Sequence, residues 1–160
     1  RGNIQTRLQK LEEGDFDATI LSLAGIKRMK MDIDYEMIPF LIPAPSQGVI
    51  AVAGHSDKTE INEIVRKFTN HTNTQICVEM ERSFLNTLEG GCTAPIGAFA
   101  EIFEDQIRFK AALCSLDGKN AISTDENFIY NEEENFGKKF AKVVLENGGK
   151  ELMAEIKNQI

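Results

Sequence analysis

The beginning of the chain predicts a helix, a short strand and a second helix. Apolar residues at helical spacing stand between a capping residue and a glycine, in the order Asn3, Ile4, Leu8, Leu11 and Gly14. The apolar, partly β-branched run 18–21 then predicts a buried strand. Residues 22–30 predict a short helix with basic residues in its last turn, where positive charge is favourable.

The central part of the chain predicts a crossing between domains, followed by two helices. Three prolines argue against regular structure between residues 39 and 47: Pro39, Pro43 and Pro45. The run 49–53 predicts a strand that makes the crossing. Ser56 is predicted to cap a helix through Phe68, and a second amphipathic helix is predicted over 74–88.

The remaining residues predict an antiparallel sheet covered by helices. Three segments of alternating polarity, separated by turn residues, span 98–103, 106–116 and 119–129. Apolar residues at helical spacing follow them: Phe136, Phe140, Val143, Val144, Leu152 and Ile156. The predicted fold class is therefore α+β, with a small three-stranded antiparallel sheet.

Composition narrows the classes of function. The 160 residues are 42% hydrophobic and 27% charged, with a net charge of −7, which argues against a general nucleic-acid or acidic-membrane surface. No apolar run approaches the roughly 18 residues that a membrane span needs. We therefore predict a cytoplasmic protein without nucleic-acid or membrane partners. Because the chain starts at Arg1, we also expect it to be a fragment of something longer.

The cysteine pattern fits neither a disulfide framework nor a zinc site. There are three cysteines without a C-x-x-C pair, and only two histidines. Cys77 falls on a predicted helix and Cys114 in a predicted strand, so we expect both to pack in the core. No metal site is predicted.

Cys92 has a different setting from the other two cysteines. It stands in the string Leu88-Glu89-Gly90-Gly91-Cys92-Thr93-Ala94-Pro95-Ile96-Gly97. The glycines permit unusual backbone angles and Pro95 fixes the exit path, so a shaped loop is predicted after the second amphipathic helix. Such a thiol is either displayed for chemistry or is a small buried residue at a helix end, and the thiol alone does not separate these interpretations.

Three arginines are candidates for binding a carboxylate. Arg1 and Arg7 flank a helix start, where unpaired N–H groups and the helix dipole favour anions, and an arginine fork can bind a carboxylate through two hydrogen bonds. A solvated helix face explains both equally well. Arg28 has the alternative role of a partner for the helix C-terminus.

Ordered motifs along the chain resemble the second half of the porphobilinogen deaminase (hydroxymethylbilane synthase) family. The resemblance begins with Arg1-Gly2-Asn3-x-x-Thr6-Arg7-Leu8, Leu11-x-x-Gly14-x-x-Asp17-Ala18, Ala24-Gly25-Ile26-Lys27-Arg28 and Pro43-Ala44-x-x-Gln47-Gly48. It continues with Glu81-Arg82-x-Phe84-Leu85-x-x-Leu88-Glu89-Gly90-Gly91-Cys92-x-x-Pro95-Ile96-Gly97. The last string resembles the cofactor-attachment segment of the family.

The resemblance implies a transferase of tetrapyrrole (haem) biosynthesis. The family joins four porphobilinogen units into hydroxymethylbilane, using a covalent dipyrromethane cofactor as the primer for the growing oligopyrrole. The resemblance implies a thioether between this cofactor and Cys92. It implies that Arg1, Arg7 and Arg28 bind carboxylates of cofactor and substrate, and that Ser22 brings backbone near the cofactor.

The resemblance also implies an architecture. Residues 1–46 would end a central α/β domain like those of periplasmic binding proteins, 47–72 would form the crossover strand and helix, and 73–160 the cofactor-anchoring domain. The catalytic aspartate of the family belongs to an N-terminal half that this sequence does not contain. We therefore expect no catalytic residue here, and neither activity nor bound dipyrromethane in the isolated fragment.

The sequence departs from the family pattern at the crossing. Pro45-Ser46 stands where the family more often has Val-Gly, and Ala53-Gly54-His55 replaces a common Glu-Cys-Arg. Two other functions stay open. One is a non-catalytic binding or regulatory domain with a structural Cys92. The other is a cysteine hydrolase with His55 or His71 as its base, although no protease signature accompanies either histidine.

Overall fold

The computed structural model describes residues 2–90 and 94–159. The described helices are α1 (Ile4–Glu12), α2 (Leu23–Arg28), α3 (Thr59–Thr69), α4 (Thr72–Thr87), α5 (Phe136–Val144) and α6 (Lys150–Gln159). The strands are β1 (Ile96–Phe103), β2 (Gln106–Cys114) and β3 (Ala121–Ile129). The chain divides into two compact units, Arg1–Ile38 and Pro39–Ile160.

The first unit consists of two short helices and their connections. Asn3 caps α1 as predicted, because its Oδ1 accepts a hydrogen bond of 2.9 Å from the Thr6 N–H. Gly14 follows the helix with φ +81°, the left-handed stop that the sequence predicted. Gly25 of α2 lies against Ile4 of α1, where a Cβ would approach the Ile4 Cδ1 to 2.9 Å. The two helices therefore pack closely.

The second unit contains the predicted three-stranded antiparallel sheet, in the order β1-β2-β3. Alternate residues of β2 are buried on one face: Ile107, Phe109, Ala111 and Leu113. Helices α4, α5 and α6 cover this face with Phe84, Val144 and Ile156, each at most 2% exposed. The Phe84 and Phe109 rings meet edge to face with centroids 5.6 Å apart. The α+β prediction is thus confirmed.

Close helix packing depends on one glycine. Gly137 of α5 lies so near the Met80 carbonyl of α4 that a Cβ would overlap it. A kink at Asn147 and Gly148, which has φ +99°, separates α5 from α6. The kink lets both helices cover the same face of the sheet.

Two predicted strands do not form, and two helix starts differ. Neither 18–21 nor 49–53 is a strand, because neither has a backbone ladder to any described residue. Helix α3 begins at Thr59 rather than after Ser56, and its N-cap Lys58 has no side-chain capping bond. Helix α4 begins at Thr72 rather than Thr74, because the side chain of His71 accepts from the Thr74 N–H and caps the earlier start.

Ser46 adopts an unusual backbone conformation between the prolines and the 49–53 run. Its φ is +66°, a region that suits glycine. Its Oγ is buried and has no hydrogen-bond partner among the described residues. Ser46 therefore costs stability that a glycine would not. In the described part of the chain, no helix is both long and apolar enough to cross a bilayer.

Candidate functional site

The described residues on the two sides of Cys92 lie against each other. Cys92 itself is outside the described residues, as is Arg1. On its N-terminal side, Leu88 is 2% exposed and Gly90 donates from its N–H to the Leu85 carbonyl. Gly90 contacts the Ile96 side chain so closely that a Cβ would overlap it. A side chain at position 90 would therefore displace the Ile96 side chain from its place beside the end of α4.

The C-terminal side of the segment is fixed by the sheet. The Pro95 carbonyl accepts a hydrogen bond of 3.0 Å from the Cys114 N–H, at the end of β2. Ile96 begins β1 and is buried. The residues that precede and follow Cys92 are thus tied to the core, which is the kind of rigid support on which functional loops are commonly carried.

An exposed ion pair adds a third element to this region. The Lys157 ammonium of α6 donates to the Glu89 carboxylate at 2.8 Å. The hydrogen bond from Lys157 lowers the pKa of Glu89. Glu89 has φ +54°, so the left-handed turn after α4 begins two residues before the undescribed segment.

Glu81 is a buried carboxylate to which the sequence motifs assigned no role. It is 6% exposed, and its two oxygens accept from the Ser46 N–H at 2.7 Å and the Ala100 N–H at 2.9 Å. Burial raises the pKa of Glu81, and the hydrogen bonds from Ala100 and Ser46 oppose that rise. The signal was present in the sequence, since Glu81 shares a helical face with Cys77, Phe84 and Leu88.

Arg7 and Ser22 are brought toward each other in the first unit. The Arg7 Nη1 donates to the Ile20 carbonyl at 3.2 Å, two residues before Ser22. Ser22 is the N-cap residue of α2, without a side-chain capping bond, and Arg28 ends the same helix. All three side chains are exposed. Arg28 therefore stands at the opposite end of α2 from Ser22.

The remaining sulfur and imidazole groups have local structural roles. Cys77 packs against the core as predicted, and burial raises the pKa of its thiol. Cys114 is half-buried at the end of β2. His71 caps α4, and His55 pairs with Asp57 on the surface. Across residues 2–90 and 94–159, no three or more histidine, cysteine, aspartate or glutamate side chains form a cluster that could hold a metal ion.

Comparisons with known proteins identify the family. The profile "Porphobilinogen deaminase, dipyromethane cofactor binding domain" matches residues 1–63, and "Porphobilinogen deaminase, C-terminal domain" matches residues 75–146. A porphobilinogen deaminase of Carboxydothermus hydrogenoformans is 39% identical over 98% of this chain and 51% of the relative.

Other relatives have a similar percentage of identical residues and a similar coverage. A probable porphobilinogen deaminase of Methanosarcina acetivorans is 40% identical over 100% of this chain and 51% of the relative. A porphobilinogen deaminase of Campylobacter jejuni is 38% identical over 100% of this chain and 53% of the relative. The chain thus spans about half the length of the curated relatives it matches. The resemblance in the motifs is confirmed: the chain belongs to the porphobilinogen deaminase family, of which it represents the C-terminal portion.

Proposed function

We propose that this chain is the C-terminal part of a cytoplasmic transferase that joins four porphobilinogen units into hydroxymethylbilane. Cys92 would carry the dipyrromethane primer through a thioether. The observation that carries the proposal is the family-specific string around Cys92, whose flanking residues Gly90 and Ile96 are in contact. The profile that matches residues 1–63 is described as a dipyrromethane cofactor binding domain, which supports the same cofactor for the family.

The chemistry of the side chains fits this cofactor. A thiolate is a strong nucleophile, able to form a C–S bond with the electron-poor methylene carbon that remains when a pyrrolic aminomethyl group leaves as ammonia. The acetate and propionate groups of pyrroles suit arginine forks. Arg7 is exposed and commits one nitrogen to the Ile20 carbonyl, so further N–H groups remain on its guanidinium for a carboxylate. We propose Arg1, Arg7 and Arg28 as carboxylate ligands and the backbone at Ser22 as a neighbour of the cofactor.

The domain organisation that we propose follows the same family. Residues 1–46 would complete a domain like those of periplasmic binding proteins, 47–72 would cross between domains, and 73–160 would hold the cofactor. The catalytic aspartate would belong to the complementary half, by which we mean the part of the curated relatives that this chain does not match. The isolated chain would then be inactive and would keep Cys92 as a free thiol.

An exposed apolar surface in the second unit supports a role for the complementary half. We call it the crossover surface, and it comprises Val49, Ile50 and Val52 with Ile61, Ile64 and Phe68 of α3. Ile50 is 91% exposed and Phe68 is 80% exposed. Residues 50–53 also have no backbone hydrogen bond to any described residue. An unpaired apolar segment beside an apolar helix face is suited to join a sheet from the complementary half.

Intact-mass measurement tests the cofactor role of Cys92. The chain is produced together with its complementary half, as wild type and as Cys92→Ser, Cys77→Ser and Cys114→Ser. We expect the mass of one dipyrromethane on the wild type and on the two control variants, and none on Cys92→Ser. An unmodified wild type, or an adduct that survives Cys92→Ser, would contradict the proposal.

The alternative of a binding or regulatory domain with a structural cysteine predicts an inert thiol at position 92. Labelling of the isolated chain with a thiol reagent under native conditions separates the two functions. Rapid reaction of Cys92, with slow reaction of the half-buried Cys77 and Cys114, would exclude the structural role.

A further inference from the structure

The outer edge of β1 is covered by groups from outside the sheet. Because β2 is the one strand among residues 2–90 and 94–159 that pairs with β1, every second N–H group of β1 points away from the ladder. The Ala98 N–H donates to the Pro43 carbonyl at 3.0 Å, and the Ala100 N–H donates to Glu81 at 2.9 Å. The next such group belongs to Ile102, which packs against the core, as does Cys77 of α4. An edge covered in this way is closed to further strands.

Glu81 joins three parts of the second unit at one point. Its own helix, α4, leads into the Cys92 segment, and Ala100 belongs to β1, which follows that segment. Its second oxygen accepts from Ser46, at the turn that precedes the crossover surface. We call this pair of hydrogen bonds the Glu81 bridge.

Two further contacts explain why the bridge forms here. Gly97 lies beneath Ile42, where a Cβ would approach the Ile42 carbonyl oxygen to 2.8 Å, so the 42–46 turn can lie directly on β1. The turn continues through Ser46, where φ is +66°, and the Ser46 N–H is donated to Glu81 rather than to a carbonyl of the turn. A carboxylate is needed between them because both facing groups are donors and an amide offers only one acceptor oxygen.

We propose that Glu81 is a positioning residue, which holds the turn before the crossover against the two elements that flank Cys92. The step from this bridge to cofactor chemistry rests on the proposed function of Cys92. Glu81 itself is assigned no contact with the cofactor or the substrate. It fixes the two elements that flank Cys92, α4 and β1, relative to the turn at 42–46.

Amide hydrogen exchange of the isolated chain tests the bridge without reference to activity. The variants are Glu81→Gln, which keeps the volume and one acceptor, and Glu81→Ala, which removes both acceptors. Glu79→Gln is the control, since Glu79 is exposed on the same helix and binds only Gln75 among the described residues. Urea unfolding of each variant establishes that it is folded.

We expect exchange at Ser46 and Ala100 to accelerate about tenfold or more in Glu81→Ala, because hydrogen bonds to a charged group are lost. In Glu81→Gln, amide exchange should accelerate at Ser46, at Ala100 or at both. Exchange at Phe109 and Leu113 should accelerate less than at the bridge in both variants. Uniform acceleration of all amides, or no change at Ser46 and Ala100, would overturn the proposal.

A second measurement tests the consequence for Cys92. In protein that contains the complementary half, we expect Glu81→Gln to slow dipyrromethane loading about tenfold while Glu79→Gln leaves the rate unchanged. Normal loading in Glu81→Gln, despite altered exchange at the bridge, would overturn the positioning role and leave the attachment role of Cys92 intact. A wild type without any adduct would instead refute the proposed function, and the exchange result would still decide whether the bridge exists.

Discussion

The core between the sheet and helices α4, α5 and α6, and the segment 39–71 that precedes it, lie in one compact unit. The apolar side chains of that core are covered, whereas many of those in the segment 39–71 are exposed. Phe84 of α4 is 0% exposed, whereas Phe68 of α3 is 80% exposed. Both helices have an apolar stripe at helical spacing, so the difference does not lie in the helices themselves. It lies in what covers them, since the sheet and α5 cover α4. The crossover surface therefore indicates a missing partner, for which we propose the complementary half.

The largest expected effect comes from truncating one phenylalanine in each region. Phe84→Ala should lower the free energy of unfolding by about 3–5 kcal/mol, because it leaves a cavity beside Phe109. Phe68→Ala in the isolated chain should change it by less than about 0.5 kcal/mol. Urea unfolding of both variants measures the difference. Equal losses would mean that Phe68 is covered in the isolated chain, which would end the contrast between the regions.

A glycine substitution tests how tightly the covered region is packed. Gly137→Ala should cost about 2–3 kcal/mol, because the added methyl group overlaps the Met80 carbonyl and the backbones of α4 and α5 must separate.

Gly118→Ala is the matched control for that substitution. Gly118 has φ +72°, and no neighbour lies within 4 Å of the place that the added methyl group would take, so only backbone strain of about 1 kcal/mol is expected. If the two variants lost the same stability in thermal unfolding, close packing of α4 on α5 would be refuted.

The turn at 42–46 offers a stabilising change. Ser46→Gly should raise the free energy of unfolding by about 1 kcal/mol, since it relieves a left-handed φ and removes a buried hydroxyl without a described partner. The bond from its N–H to Glu81 is retained. Chemical denaturation measures the gain, and a loss of stability would show that the Ser46 hydroxyl contributes to the fold.

The smallest expected effect is a pH dependence that originates in Glu81. Burial raises its folded-state pKa above the ordinary value of 4.5, so between these two pKa values the folded chain binds more protons than the unfolded chain. This group therefore makes the free energy of unfolding fall as pH rises through that window.

Comparison with Glu81→Gln isolates this contribution. The exposed Asp125, whose pKa is lowered by its hydrogen bond from Arg108, acts with the opposite sign and is common to both proteins. We expect the stability of the wild type relative to Glu81→Gln to decrease with rising pH above 4.5. A difference that stays constant in urea titrations between acidic and neutral pH would contradict a raised pKa.

The sequence predicted the covered region well, whereas two strands predicted outside that region do not form. The sheet, α4 and α5 follow from period and turn residues because their partners are local: β1, β2 and β3 are consecutive hairpins. The runs 18–21 and 49–53 have the composition of strands, but a strand also needs a ladder, and neighbouring residues do not supply one. Composition alone could not reveal that difference.

In the candidate site, too, some residues could be named from the sequence and one could not. Motif resemblance named Cys92, Arg7 and Arg28, since their identities stand in ordered strings. Glu81 was part of the same strings, yet its role was missed because its partners are backbone N–H groups at Ser46 and Ala100, which carry no sequence signature. A sequence shows which chemical groups the side chains carry, whereas the long-range contacts of a side chain with the backbone can be identified only from the fold.

Hydrogen exchange of the crossover surface, measured in the isolated chain and in protein that contains the complementary half, tests the role of that half most directly. We predict that peptides covering 49–53 and α3 exchange much more slowly in the longer protein, while peptides covering β2, already buried, change little. Unchanged exchange of 49–53 and α3 in the longer protein would contradict the claim that the complementary half covers this surface.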